Sequence, residues 1–264
     1  MPEYKEHYVA FLDILGFKAL LKNTPCDEIY SIFDIINNKS HGKREENGVL
    51  IEALDHVKHM ILSDSIILYI EVSIEDAFAA LMYICNQLQV SLANREQPIL
   101  VRGGIAMGNL FCMDDIIYGE GLSAAYLLES NLAQYPRVIF TGNTLSKGLA
   151  NTKYMHASME SLNPPYQSDN DELYYVNYLC PPWNNDELIQ YFDRLLNVCT
   201  KYLDMNIDSN LRNKYLWLKE KTNDAKSHYP QIVEYYKKRE EYAEQQRCEN
   251  YNERLKIYSQ YNGK

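Results

Sequence analysis

The segment YVAFLDILGFKALL, residues 8–21, constrains the fold more than any other stretch of this chain. Residues 7–15 alternate and then run apolar, the pattern of a strand buried on both faces near its end. Gly16 follows at once and opens a helical stretch. One residue breaks the apolar run. Asp13 sits among Ala10, Phe11, Leu12, Ile14, Leu15 and Phe17, and a buried carboxylate without a partner costs several kcal/mol or gives up its charge.

The rest of the chain supplies the elements that this strand needs around it. Pro25 starts a second helical segment, PCDEIYSIFDIINN, and the polar stretch NNKSHGKREENG reads as a loop. Residues 49–60 and 65–71 read as two strands joined at LSDS, and residues 75–94 as a helix with Phe78, Leu81, Met82, Cys85 and Leu88 at helical spacing. ILVRGGIAMGNLF is a further strand that turns at Gly108. The loop MDDIIYGEG leads to the helix LSAAYLLESNLAQ, and RVIF and DELYYVNYL are the last strands. Strands and helices in this order predict an α+β fold, close to a ferredoxin-like core with additions and an antiparallel-rich sheet. This α+β unit covers residues 1–180. Residues 181–264 read as a helical C-terminal region whose aromatic faces pack on the core or on a partner subunit, ending in a charged, solvated helix.

Charge and cysteine usage exclude several functions. A net charge of -10 is wrong for a general nucleic-acid binder, which needs clustered Lys and Arg. No apolar run is long enough to span a membrane, and MPEYKEHY has no apolar leader core, so a cytoplasmic protein is expected. The six cysteines are scattered without a CxxC pair, which points to reduced thiols and away from zinc. His56 and His59 lie three apart on a strand and so point to opposite faces, which does not make a metal pair.

A second carboxylate repeats the oddity of Asp13. Asp64 lies in HMILSDSIILYI, at the turn between two strands and flanked by Ile61, Leu62, Ile66 and Ile67. If the first strand lies beside this hairpin, both carboxylates converge at one sheet end. They would then repel unless a cation lay between them, and Mg²⁺ or Mn²⁺ suits carboxylate oxygens and substrate phosphates. The competing reading is that Asp13 caps the helix near Gly16 and Asp64 fixes a hairpin turn. Beside a metal site, the amides of the turn at Gly16 and Phe17, with Lys18 nearby, would suit a nucleotide triphosphate.

FLDILGF, SDSIIL, RGGIAMGNLF, IIYGEGLSAAYLLE and YPRVIF, in this order, resemble the class III nucleotidyl cyclases. The chain is more closely similar to the pyrimidine nucleotide cyclases of bacterial Pycsar antiphage systems, which share RGGI, AY..E and YPR segments and a KYLWL-like stretch. The resemblance runs over residues 7–178 and weakens to about residue 225. It implies that Asp13 and Asp64 bind two divalent cations (Mn²⁺ or Mg²⁺), with the Ile14 carbonyl as a further ligand. It implies a homodimer that converts UTP or CTP to a 3′,5′-cyclic mononucleotide and pyrophosphate, a messenger for a separate effector in antiphage defence. Met60 and Ile116 stand where purine cyclases carry a base-reading Lys and Asp. Ser123 and Leu127 stand where they carry a ribose-positioning Asn and a transition-state Arg, so Arg102 and Arg137 become candidates for that charge. Tyr126 and Glu129 match the relatives and would brace the dimer interface. The alternative is a catalytically inactive cyclase fold that binds a nucleotide or a protein partner.

Overall fold

Strand β1 (Lys5–Ile14) lies inside the sheet, with a neighbour hydrogen-bonded along each edge. The computed structural model describes residues 3–39, 44–46, 49–114, 116–153, 163–181 and 185–261. After β1 the chain runs through α1 (Phe17–Asn23), α2 (Cys26–Lys39) and the short strands β2 (Arg44–Glu46) and β3 (Val49–Ile51). A 3-10 turn (Glu52–His56) precedes the hairpin β4 (Lys58–Leu62) and β5 (Ser65–Glu71), then α3 (Ala77–Ala93) and the long β6 (Val101–Met113). Next come β7 (Ile116–Tyr118), α4 (Glu120–Leu127), a π turn (Leu128–Leu132), β8 (Val138–Phe140), α5 (Gly142–Leu149), β9 (Tyr166–Ser168) and β10 (Tyr174–Val176). Two helices close the chain, α6 (Asn185–Leu203) and α7 (Ser209–Tyr261).

The main sheet has the order β4-β5-β1-β6-β8-β10-β9, with β7 paired to β6. Within it, β4-β5-β1-β6 is the four-stranded antiparallel order of a ferredoxin-like βαββαβ unit. Only the β6–β8 pairing is parallel among the described strands. The fold is therefore α+β with a mixed, mostly antiparallel sheet.

Strand alternation sorts β1 between two cores. Tyr8, Ala10, Leu12 and Ile14 point into a cluster with α2 and α3, while Val9 and Phe11 point to the opposite face under α4. Asp13 shares the face of Val9 and Phe11. A third cluster joins sheet and C-terminal helices: Val90, Leu100, Ile139 and Tyr175 pack with Tyr191, Phe192, Leu195, Tyr215, Trp217, Leu218 and Tyr229.

Several details differ from the reading of the sequence. Residues 49–60 are not one strand, because the 3-10 turn interrupts them and carries His56 off the strand. Gly108 is not a turn, and β6 runs through it without a break. A Cβ there would meet the backbone of Gly121 at 2.8 Å, so this glycine lets α4 lie against the strand. The segment from Ser209 onward is one helix that continues through Pro230. The stretches 37–48 and 113–121 are not simple loops: α2 runs to Lys39, Arg44–Glu46 pairs with Val49–Ile51, and Ile116–Tyr118 pairs with β6. Asp115 and residues 40–43 and 47–48 lie outside the described residues. Among the described residues, no helix is long and apolar enough to cross a membrane.

Candidate active site

Three strands place the charged groups in one row. Asp13 is paired in register with Arg102 on β6 and with Ser65 on β5, so side chains at these positions share a sheet face. Asp64 immediately precedes Ser65, and its carbonyl accepts a hydrogen bond from the Ile14 amide at 3.2 Å. Ser63 takes the left-handed backbone conformation (φ 57°) that closes this hairpin tightly. The two aspartates, far apart in sequence, thus stand together at one end of the central strands, near enough for Asp64 to act electrostatically on Asp13.

Arg102 ties the row to the helix above it. Its Nε donates to Asp13 Oδ2 at 3.3 Å, and Nη1 donates to the Ala133 carbonyl at 3.4 Å. Its Nη2 lies 2.7 Å from Glu129 Oε1, close enough for an ion pair though not aligned as a hydrogen bond. Asp13 and Arg102 keep 23% and 25% of their side-chain surface, whereas Glu129 keeps 5%, so the first two can meet a ligand and the last cannot readily do so. Burial holds the Asp13 carboxyl above its ordinary value against the pull of Arg102, with Asp64 adding to the rise. Burial raises Glu129 in the same way, and Arg102 opposes it.

The sequence did not single out the fifth group. Lys214, from the second turn of α7, stands within electrostatic reach of Asp13, Glu129 and Arg102. Glu129 is one turn beyond Ala125 and two beyond Gly121, both buried, which is the signal that it points inward. Lys214 belongs to the KYLWL stretch, where the buried phase of Leu211, Tyr215 and Leu218 could have drawn attention to it.

The other sequence candidates fall in three places. Gly16 has φ 75° and lies at the start of α1, a helix of seven residues that lends little dipole to an anion. Phe17 is buried edge-to-face with Phe33 at 5.9 Å, so only its backbone faces outward. Met60 packs on the α4-side cluster with Phe11 and Tyr69. Ile116 does not join it: Ile116 is 57% exposed, and its neighbour Ile117 makes that contact. Ser123 and Leu127 lie on the outer face of α4, lining an open groove of about 570 Å³ with Tyr4, Asn109, Gly119, Glu120 and Ala124. Tyr126 is half-exposed and meets Phe11 edge-to-face at 5.3 Å.

Arg137 is elsewhere and spoken for. It is fully buried, donates to Asp169 at 2.9 Å and to Asp171, and is boxed by the rings of Tyr135, Tyr175 and Trp217 at 5.3, 5.7 and 5.6 Å. Its charge is consumed there and cannot reach a pyrophosphate leaving the aspartate row.

Asp13 and Asp64 offer hard oxygen donors, partly open to solvent, which fits Mg²⁺ or Mn²⁺ shared with a phosphate ligand. Among the described residues, no group of three or more His, Cys, Asp or Glu side chains is placed to hold a metal ion without such help.

No protein-family model matches this sequence, and no curated protein matches it. Among solved structures, the chain is similar to the guanylyl cyclase domain of the RhoGC fusion protein from the aquatic fungus Blastocladiella emersonii. That match has 12% identity and a TM-score of 0.46, covering 66% of this chain and 95% of that one. It is also similar to the catalytic core of a rhodopsin-guanylyl cyclase of converted specificity in complex with ATPαS, at 11% identity over 66% and 95% of the chains with a TM-score of 0.46. An adenylate/guanylate cyclase/hydrolase from Silicibacter pomeroyi is 12% identical over 66% and 98% of the chains, with a TM-score of 0.40. Likeness at this level is loose, and the α+β assignment stands on strand order and register.

Proposed function

We propose that this chain is a nucleotidyl cyclase that closes a nucleoside triphosphate into a 3′,5′-cyclic mononucleotide with release of pyrophosphate. One observation supports this reading: Asp13 and Asp64 belong to the same end of adjoining strands, where the Ile14 amide donates to the Asp64 carbonyl and Arg102 bonds Asp13 while both stay partly exposed. Asp13 and Asp64, with the Ile14 carbonyl, would hold two divalent cations. When bound, these cations make the 3′-hydroxyl more acidic and neutralise the triphosphate. Arg102 orients Asp13 through its Nε and keeps a cation beside the reacting phosphate. Glu129 fixes the other side of that guanidinium.

The partner is a second copy of the chain. Ser123 and Leu127 face outward on α4 while Glu129 faces the protomer's own Arg102, and Tyr4, Met113, Ile116, Tyr118, Tyr126 and Leu127 leave large apolar surface exposed around that groove. A homodimer would bring the outer face of one α4 to the aspartates of the other. The substrate in this reading is UTP or CTP. Met60 and Ile116 carry no donor or acceptor for a purine edge, and sites built to pair with a base discriminate strongly against one that cannot pair. The product would then serve a separate effector in antiphage defence.

The test is product analysis after incubating the purified protein with Mn²⁺ and each of the four nucleoside triphosphates. Cyclic UMP or cyclic CMP is expected to dominate. Asp13→Asn and Asp64→Asn should each abolish turnover without lowering the melting temperature. Loss of activity only in proportion to loss of folded protein would return Asp13 to a packing role, and equal turnover of ATP would overturn the pyrimidine assignment.

A further inference from the structure

Helix α7 packs on the sheet next to the aspartate row. Leu211, Tyr215 and Leu218 form its inward face, and the cluster that receives them also takes in Leu15 and Leu128. Leu15 is two residues beyond Asp13, and Leu128 is the residue before Glu129. Lys214 lies between Leu211 and Leu218 at one-turn spacing, so the same seat aims its stem at the mouth of the row. Arg102 takes the direct contacts with Asp13 and Glu129. Lys214 closes no ion pair of its own among the described residues.

The helix is held in register from one turn further on. Trp217 Nε1 donates to Asp169 Oδ2 at 2.7 Å, and its indole stacks on Tyr135 with ring centroids 5.4 Å apart. Lys221 Nζ pairs with Asp169 Oδ1 at 3.0 Å, and Arg137 holds the same carboxylate from below. A buried, multiply bonded carboxylate of this kind fixes the azimuth of α7, and with it the direction of Lys214.

We propose that Lys214 is a substrate-phosphate ligand, delivered to the site by α7 and working with Arg102 as a pair of cations across the aspartate row. The inference rests on the nucleotide reading of the site and adds the C-terminal helix to it. Two cations crowded into a partly buried mouth disfavour one another: burial and Arg102 both hold the Lys214 amine below its ordinary value. A polyanion entering between them removes that conflict. Asp13, Asp208 and Glu129 all act on Lys214 from the acidic side, so its loss would take one of the two cations from a mouth already rich in carboxylates.

Calorimetric titration with Mn²⁺ and 3′-deoxynucleoside triphosphates, which bind but cannot cyclise, tests this on the full-length chain. Lys214→Met should weaken binding by about 10- to 100-fold, the loss of one charge-assisted contact, with its melting temperature unchanged. Lys214→Arg should recover most of the affinity, and Lys219→Met, on the exposed side of the same helix, should bind as the unmodified protein does. Inorganic tripolyphosphate should show the same ranking, which assigns the contact to phosphate rather than base. Equal affinity of Lys214→Met and the unmodified protein would overturn the proposal while leaving the nucleotide reading intact. If the unmodified protein binds no triphosphate at all, the nucleotide reading itself fails and this proposal with it.

Discussion

Replacing Gly104 with alanine tests how α4 is held over the sheet. A Cβ built on Gly104 would stand 2.5 Å from Leu128 Cβ, 2.6 Å from the Ala125 carbonyl and 3.0 Å from the Glu129 amide. Ordinary carbon contacts are about 3.5–4.0 Å, so the helix must withdraw by about 1 Å. None of the three atoms is the tip of a flexible side chain that could swing aside. Overpacking of this kind costs about 1–3 kcal/mol, against which the lost freedom of the unfolded glycine returns about 0.4–1 kcal/mol. The net loss is about 1–2 kcal/mol, a fall of about 2–8 °C in melting temperature for a chain of this size. Gly142→Ala is the matched control. Its Cβ would meet only Tyr174 Cε2 at an ordinary 3.5 Å, so it should be neutral or stabilising by up to about 1 kcal/mol. Thermal and urea unfolding followed by circular dichroism read both variants. Because Glu129 rides on the displaced turn, Gly104→Ala should also lose more turnover than folded protein. If both alanine variants melt as the unmodified protein does, α4 does not rest on Gly104 as described.

Three further outcomes can be checked. Burial pushes the Asp169 carboxyl up, yet the Trp217 indole, the Asn170 amide, Lys221 and Arg137 together hold it below its ordinary value. A carboxylate depressed in the folded state stabilises it above the unfolded pKa and loses that contribution as pH falls through the folded one, so tryptophan fluorescence should report loosening of α7 below about pH 4. Asp169→Asn should flatten this acid limb, and an unmoved limb would assign it to another group. Arg137→Met strips the cation from Asp169 and Asp171 and should destabilise by about 3–5 kcal/mol, measured by urea unfolding. A loss within a few tenths would mean that the aromatic box alone holds α7. Mixing Asp13→Asn and Ser123→Trp protomers should restore about one-quarter of full turnover, because half of randomly mixed dimers carry one intact site. No recovery on mixing would place each site within one protomer.

Much of the fold was legible because apolar patterning is local. The run ending in Asp13 identified the central strand, and the alternation of strands and helices identified the α+β class. Glycine misled at Gly108, where the residue serves close approach of a helix rather than a change of direction, and sequence does not separate these uses. The site was only partly legible. Asp13 and Asp64 stood out because carboxylates are rare inside apolar frames. Glu129 stood out only through the resemblance, and there as a brace for a dimer interface, whereas it is buried against the Arg102 of its own protomer. Lys214 did not stand out, since it lies at the edge of an amphipathic helix, where charge is ordinary. Arg137 drew attention as a cation near a strand. Its carboxylates come from Asp169 and Asp171, more than thirty residues on, and no local pattern announces them.

The shared core between sheet and C-terminal helices has a consequence for synthesis of the chain. Ile139 and Tyr175 are covered by side chains that extend to Tyr229. At roughly 5–20 residues per second, the about ninety residues from Ile139 to Tyr229 take about 5–18 s to translate. Through that interval the growing polypeptide displays an uncovered aromatic and aliphatic surface. A ribosome-bound chaperone would find its target there, on Val90, Leu100, Ile139 and Tyr175, and would be displaced when α6 and α7 arrive.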